Sequence, residues 1–161
     1  MPTNFERMIR LAVETFDAHN DPEQLDVDEQ VIERLKQVHP AAVSERANAD
    51  GPIAWLLLIP TTSDLMNQFI EKKISESDLL YKTPLQIKYD SLYLCSVMVL
   101  QEFRKKGIAK TLAFEAIKSI RADHPIKTLF TWNFSREGEL LAESVARYER
   151  LPLLKRERQV K

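Results

Sequence analysis

Hydrophobic residues along the chain follow two spacings, one typical of helices and one typical of buried strands. The helical spacing of about 3.6 residues recurs in five segments, which are residues 3–17, 27–38, 61–74, 105–122 and 137–150. Short apolar runs between turn residues predict strands at residues 41–46, 53–59, 91–100, 127–134 and 153–160. Residues 75–90 are polar and contain Pro84, so we expect a connection there with at most one helical turn.

The order of these elements predicts one mixed α/β (α+β) domain. A turn cluster at residues 48–52, with the sequence Asn-Ala-Asp-Gly-Pro, joins two strands into a hairpin. The strand, helix and strand between residues 91 and 134 predict a parallel crossover, which is right-handed in nearly all proteins. The 161 residues have the length of a single domain, and we expect residues 1–161 to form it.

The composition indicates a folded chain without a general affinity for polyanions. Hydrophobic residues make up 44% and charged residues 29% of the chain, which favours a packed core over disorder. The formal net charge of -1 gives no attraction to nucleic acid or to an anionic membrane, so we expect neither as a partner. The start, MPTNFERMIR, lacks a signal-peptide core, and no apolar stretch approaches the roughly 20 residues that span a bilayer. We therefore expect a cytoplasmic protein.

Candidate metal ligands and reactive thiols are few. Cys95 is the only cysteine and lies in the most apolar run, which excludes an intramolecular disulfide and favours a buried, unreactive thiol over a nucleophile. His19, His39 and His124 are scattered without metal-ligand spacing, so we expect no metal site. The acidic run at residues 21–29 is interpreted as a solvated loop and helix start; lining a site for a cationic acceptor is the alternative.

Residues 91–120 carry the most informative pattern, because a buried strand, a basic turn and a helix follow one another directly. The turn contains Arg104, Lys105, Lys106 and Gly107. A helix N-terminus presents unpaired backbone N–H groups and about half a positive charge, and the basic side chains add to this field. Gly107 has no Cβ, which lets a ligand approach the backbone closely. The segment therefore predicts a phosphate site; a solvated basic first turn is the alternative.

The hexapeptide RKKGIA at residues 104–109 fits the pattern Q/R-x-x-G-x-G/A. Between its strand and its helix, this segment resembles the pyrophosphate-binding signature of the GNAT acyltransferase superfamily, and the resemblance extends over about residues 91–151. It implies a GNAT-like mixed, mostly antiparallel central sheet with helices on both faces and a parallel strand-helix-strand core that binds acetyl-CoA. The implied reaction is N-acetyltransfer from acetyl-CoA, as co-substrate, to a small-molecule or protein amine that attacks directly in a ternary complex.

The resemblance also implies roles for single residues. Backbone amides at residues 105–110 and the Arg104 side chain would hold the pyrophosphate, while the backbone of residues 97–99 would pair with the pantetheine and present one amide to the thioester oxygen. Tyr148, within ARYERLP, would protonate the leaving thiolate; packing on its own helix face is the alternative. The implied CoA contacts on the strand and the turn are Val97, Met98, Val99, Arg104, Lys105, Lys106, Gly107, Ile108, Ala109 and Lys110.

Three features depart from the GNAT pattern. No strand is predicted before the first helix, Leu151-Pro152 replaces an expected glycine-phenylalanine, and Leu141 occupies the place of an asparagine. Asn133, at a strand end, could replace that asparagine only with a different geometry. Because these features bear on acceptor binding, a noncatalytic acyl-CoA-binding sensor or interaction domain is the alternative function. The missing strand also leaves a sheet edge that a second copy could pair with, which predicts a homodimer.

Overall fold

Six α-helices and five β-strands lie in the part of the chain that the computed structural model describes, residues 2–19, 23–25, 28–133 and 135–157. The helices are α1 (Asn4–His19), α2 (Glu29–Val38), α3 (Ser63–Ile70), α4 (Glu76–Lys82), α5 (Ile108–Asp123) and α6 (Arg136–Glu149). The strands are β1 (Val43–Asn48), β2 (Gly51–Thr61), β3 (Ser91–Val99), β4 (Thr128–Thr131) and β5 (Leu153–Lys155). Short 3-10 turns occupy Pro40–Ala42 and Gln101–Phe103.

The strands form one mixed sheet in the order β1-β2-β3-β4-β5. The β1/β2 and β2/β3 pairs are antiparallel, and the β3/β4 and β4/β5 pairs are parallel. The predicted hairpin, the mixed sheet and the parallel crossover through α5 are confirmed. Most of the paired residues lie in the two antiparallel pairs, as expected, although two of the four strand pairings are parallel. Helix α6 intervenes between β4 and β5, and such a crossover lets the last strand run in the same direction as β4.

Helices cover both faces of the sheet, as predicted. Neighbouring positions on a strand point to opposite faces, and the register pairs Trp55 with Glu45 and Ala54 with Arg46. On the first face, the Trp55 ring contacts the Phe5 ring of α1, with ring centroids 6.1 Å apart. On the second face, Arg46 forms an ion pair of 2.7 Å with Glu115 of α5. The two faces therefore carry α1 and α5 respectively.

Helix capping explains where the structure departs from the predicted segments 61–74 and 75–90. Helix α3 begins at Ser63 because the Thr62 side chain caps it by accepting a hydrogen bond from the Leu65 N–H. Residues 75–90 contain more than one helical turn, which corrects the expectation of a polar connection: α4 spans Glu76–Lys82. Ser75 and Asp78 form a capping box, in which each side chain bonds the other's backbone N–H and fixes the start of the helix.

Two predicted strands are shorter in the structure. The segment 127–134 forms β4 only over Thr128–Thr131, and Phe134 lies outside the described residues. The segment 153–160 forms β5 only as far as Lys155, with residues 158–160 outside the described part. Its strand ends where Arg156 turns inward and becomes buried. Within the described residues, no helix combines the length and the apolar character needed to cross a bilayer.

Arg156 connects the end of the chain to the core. Its guanidinium carbon lies 4.6 Å from the Phe69 ring centre and 4.4 Å from the Trp132 ring centre, and its side chain is 3% exposed. The guanidinium also donates to the Ile74 carbonyl at 2.8 Å and forms an ion pair with Glu23. A desolvated cation between two aromatic faces is stabilised by their quadrupoles, so this one side chain holds three separate segments together.

Replacing Arg156 is expected to destabilise the fold strongly. Arg156→Ala empties the space between two rings and removes one ion-pair partner of Glu23, so we expect the free energy of unfolding to fall by about 3 kcal/mol. The matched control is Arg136→Ala, since Arg136 is 70% exposed and pairs with Glu139 at the surface; there we expect a loss below about 1 kcal/mol. Urea unfolding measures both, and equal losses would show that Arg156 contributes no more than a surface arginine.

Candidate functional site

A cleft opens where β3 and β4 separate. The two strands are paired over four residues each, up to Leu94 on β3 and Thr131 on β4. Beyond Leu94, β3 continues to Val99 with only β2 beside it, because β4 has ended. The backbone edge of residues 95–99 therefore faces a cavity of about 1040 Å³. Such an edge can pair with an extended ligand as if the ligand were another strand.

Cys95 forms a β-bulge at the inner end of this cleft. Leu57 and Leu58 of β2 pair with Ser96 and Leu94, so Cys95 is the extra residue of β3. A bulge bends its strand and leaves the extra residue outside the ladder. The bend therefore coincides with the place where β3 leaves β4.

The Thr131 hydroxyl stabilises the point of separation. It donates to the Leu94 carbonyl oxygen at 3.2 Å and lies 3.0 Å from the side-chain oxygen of Asn133. The Leu94 carbonyl thus keeps a hydrogen bond at the point where the pairing of β3 with β4 ends. This avoids the free-energy cost of a buried carbonyl without a hydrogen-bond partner. Asn133 is positioned on the cleft wall by the same contact.

The cleft passes through the plane of the sheet, because helices on both faces line it. Leu11 and Thr15 of α1 contribute on one face. Leu141 and Ser144 of α6 contribute on the other, where α6 packs beside α5. Two molecules can therefore approach the bulge from opposite sides of the sheet.

The basic turn forms the mouth of the cleft with a left-handed backbone. Lys105 has a φ of 62° and Gly107, the N-cap of α5, has a φ of 76°. No side chain caps the helix at this position, and the first helical hydrogen bond runs from the Thr111 N–H to the Gly107 carbonyl at 3.0 Å. The N–H groups of residues 108–110 precede that bond, so they are available to an anion at the cleft.

Two surface contacts shape the charge of the turn. The Arg104 Nε donates to the Val99 carbonyl at 2.9 Å, which holds the guanidinium at the end of β3. Arg7 of α1 pairs with Glu102 at 2.6 Å, and the hydrogen bond from Arg7 lowers the pKa of Glu102 to about 2. Glu102, the carboxylate adjacent to the basic turn in the sequence, is thus already paired with a cation from α1.

The structure brings together all but two of the residues that the sequence analysis selected for the site. Those that line the cleft are Val97, Met98, Val99, Arg104, Lys105, Gly107, Ile108, Ala109, Lys110 and Asn133. Lys106 does not line it; its ammonium lies 5.9 Å from the Phe103 ring centre. Tyr148 does not line it either.

Tyr148 lies in a different, smaller cavity between α5 and α6. Its ring stacks on the Phe114 ring, with centroids 3.8 Å apart and planes at 15°. Arg121 of α5 binds Glu149 of α6 at 3.0 Å beside this stack, so Tyr148 and Glu149 lie against α5, while Arg147 of the same helical turn lines the cleft. The helical periodicity of α6 cannot show where the helix crosses its neighbour. Ser144, one turn earlier, is the hydroxyl residue of α6 that lines the cleft, and it was not among the residues predicted for the site.

A buried carboxylate lies behind the bulge. Glu76 is 3% exposed; its carboxylate accepts hydrogen bonds from the Tyr93 hydroxyl at 2.5 Å and from the Leu25 N–H at 2.7 Å, and the Cys95 sulfur is 4.0 Å away. Burial, followed by the charge of Glu76, raises the pKa values of both Tyr93 and Cys95 well above their ordinary range. Both groups are therefore neutral at physiological pH. Glu76 could not be selected from the sequence, because its burial depends on contacts with residues distant in the chain.

The remaining acidic and histidine candidates have structural roles where they are described. Within the run 21–29, Glu23 pairs with Arg156 and Asp28 caps α2 by accepting from the Val31 N–H at 2.9 Å. Residues 20–22, 26 and 27 lie outside the described residues, as does the His19 side chain. His39 binds Asp123 at 2.7 Å. The part of the chain that the structure describes contains no group of three or more potential metal ligands.

No protein-family model matches this chain, and neither a curated protein nor a solved structure matches it. The resemblance to the GNAT superfamily therefore rests on the sequence pattern of the basic turn and the elements that flank it.

The Cys95 thiol offers a direct test of the buried carboxylate. Because its pKa is raised, the thiol is protonated at pH 8, and we expect it to react with a maleimide at least tenfold more slowly than free cysteine. Glu76→Gln removes the negative charge beside the thiol, so the pKa of Cys95 falls. The thiolate fraction at pH 8 then rises, and we expect the reaction with maleimide to accelerate several-fold. Because Cys95 is the only cysteine, intact mass measures the reaction without ambiguity.

The matched control is Glu71→Gln, which removes a carboxylate that is 55% exposed and paired with Lys73. This variant should leave the rate unchanged. The full pH dependence of the rate separates a charge effect from loosening of the fold, because a charge effect moves the midpoint to lower pH without changing the plateau. Identical midpoints in the Glu76→Gln variant and the unmodified protein would contradict this account of the site.

Proposed function

We propose that the chain is an acyl-CoA-dependent N-acetyltransferase, which transfers acetyl from acetyl-CoA to a primary amine by direct attack in a ternary complex. The observation that carries the proposal is the cleft between two separating parallel strands, with a glycine-capped helix N-terminus at its mouth. This combination suits an extended thioester with a diphosphate at one end, because it offers a free strand edge along the ligand and an anion site at its end.

The proposed ligand lies along β3. Its diphosphate accepts from the N–H groups of residues 108–110, with Arg104, Lys105 and Lys110 supplying positive charge. The pantetheine pairs with the backbone of residues 97–99 as an added strand, opposite Asn133. The thioester then lies near the bulge, where an amide of the opened strand donates to its oxygen.

The proposed chemistry is direct acyl transfer from thioester to amine without a covalent enzyme intermediate. A neutral amine attacks the thioester carbon and forms the C–N bond, the carbonyl oxygen becomes an oxyanion, and the C–S bond breaks as the carbonyl re-forms. The proton that the amine loses is balanced by the one that the departing thiolate gains. One preorganised N–H at the oxyanion contributes roughly 3–4 kcal/mol in comparable sites. An amine of the lysine type has a pKa near 10.4, so the site must favour its neutral form. Ser144 replaces Tyr148 as the proposed hydroxyl beside the thiolate.

The position of Tyr148 favours a second candidate function. Its phenol is stacked on Phe114 outside the cleft, so the general acid implied by the resemblance is absent from the cleft wall. A noncatalytic acyl-CoA sensor needs the same nucleotide site without that acid. An amine library assayed for release of the free CoA thiol separates the two functions, since only the transferase releases CoA in proportion to the added amine.

Acetyl-CoA is expected to raise the melting temperature of the protein. At roughly 100 times the dissociation constant, one bound ligand stabilises by about 2.7 kcal/mol, or about 5–10 °C for a chain of this length. Gly107→Ala should abolish most of this shift, because a Cβ at Gly107 has no protein atom within 4 Å and would stand in the space that the diphosphate occupies.

Gly51→Ala is the matched control for the backbone strain. Gly51 also has a positive φ, 114°, and lies in the β1–β2 turn. Both alanine variants therefore lose roughly 1–2 kcal/mol of stability, but only Gly107→Ala should lose the response to acetyl-CoA. A full shift in the Gly107→Ala variant would remove the phosphate assignment, and no shift in the unmodified protein would remove CoA binding altogether.

A further inference from the structure

The smaller cavity between α5 and α6, here called the α5–α6 pocket, has the features of a second binding surface. It encloses about 400 Å³ and is lined by Phe114, Glu115, Lys118, Arg121, Tyr148 and Glu149. One face of the Tyr148 ring stacks on Phe114, while the residue is 63% exposed. An aromatic ring fixed on one face and open on the other is a stacking surface for a planar ligand.

The charges around this ring favour an anionic ligand. Both carboxylates of the pocket are engaged by arginines, Glu149 by Arg121 at 3.0 Å and Glu115 by Arg46 at 2.7 Å. Lys118 forms no ion pair with any residue in the described part of the chain. Its positive charge next to the exposed Tyr148 ring is therefore uncompensated.

The pocket adjoins the cleft along one side of α5. Lys110, Phe114 and Lys118 recur at intervals of four residues, which places them on the same side of the helix. Lys110 lines the cleft, whereas Phe114 and Lys118 line the α5–α6 pocket. Phe114 follows Gly107 by seven residues, about 10 Å along the helix axis. A ligand with phosphates at the start of α5 can therefore extend its other end into the pocket.

We infer that the α5–α6 pocket binds the adenine base and the ribose phosphate of the nucleotide whose diphosphate lies at the start of α5. The inference rests on the proposed function, because it assigns the remaining part of CoA. The adenine stacks on the open face of Tyr148, and Lys118 contacts the phosphate on the ribose. Tyr148 thereby has a binding role that needs its ring and not its hydroxyl.

Three ligands that differ only at the nucleotide end test this assignment by calorimetry: CoA, dephospho-CoA, which lacks the ribose phosphate, and 4′-phosphopantetheine, which lacks the nucleotide. Tyr148→Ala should weaken CoA binding about tenfold and leave 4′-phosphopantetheine unchanged, whereas Tyr148→Phe should bind both normally. Lys118→Gln should weaken CoA several-fold without affecting dephospho-CoA. Tyr81→Ala is the control, because Tyr81 is also exposed, at 45%, but lies on α4.

The fluorescent base of 1,N6-etheno-CoA provides an independent measurement of stacking. Its emission should fall on binding to the unmodified protein and to Tyr148→Phe, and should stay constant with Tyr148→Ala. If Tyr148→Ala does not fold, Lys118→Gln still decides the inference through its selective loss of CoA over dephospho-CoA.

The possible failures are distinguishable. Normal CoA affinity in both Tyr148→Ala and Lys118→Gln would overturn the nucleotide pocket and leave the proposed function intact. Binding of neither CoA nor 4′-phosphopantetheine by the unmodified protein would overturn the proposed function, and the pocket assignment with it. Equal losses for CoA and 4′-phosphopantetheine in Tyr148→Ala would mean that Tyr148 supports the fold, and would also reject the assignment.

Discussion

The candidate site depends on the loss of pairing between two parallel strands after only four residues. A strand inside a sheet normally satisfies hydrogen-bonding groups on both edges, so β3 can leave β4 at Leu94 only if the groups at the separation find other partners. The Thr131 hydroxyl donates a hydrogen bond to the Leu94 carbonyl, and the bulge at Cys95 bends β3 away from β4. Further along, the edge of β3 faces a cavity where a ligand can complete the hydrogen bonds.

Buried polar groups hold this opening in place from the α1 face. Glu76 accepts from the hydroxyl of Tyr93, a residue of β3 just before the bulge, and from the Leu25 N–H. The Glu76 N–H also donates to the Glu23 carbonyl at 2.9 Å, and Glu23 pairs with Arg156 from the chain end. Charges buried in this way are costly unless fully paired. Residues 23–25 are therefore held against the α1 face of the sheet, directly behind the cleft.

Local patterns predicted the elements well and their contacts less well. Hydrophobic spacing predicted nearly every helix and strand. The glycine of the basic turn predicted the position of the cleft mouth, where Gly107 has a positive φ. Helix α4 was overlooked although the spacing of Ser75 and Asp78 is a capping-box signal. The bulge at Cys95 arises from the register between β2 and β3, and the position of Tyr148 arises from the crossing of α6 over α5. Both are tertiary features that no periodicity contains.

Helix α5 lines both the cleft and the α5–α6 pocket, with different turns of the helix at each. Its first turn offers backbone N–H groups, which bind any suitably placed anion and carry little information about the rest of a ligand. Its second and third turns carry Phe114 and Lys118, which present an aromatic face and a positive charge to the α5–α6 pocket. In the proposed complex, affinity for phosphate therefore depends on the helix start, whereas selectivity for the nucleotide depends on these side chains and on the neighbouring α6.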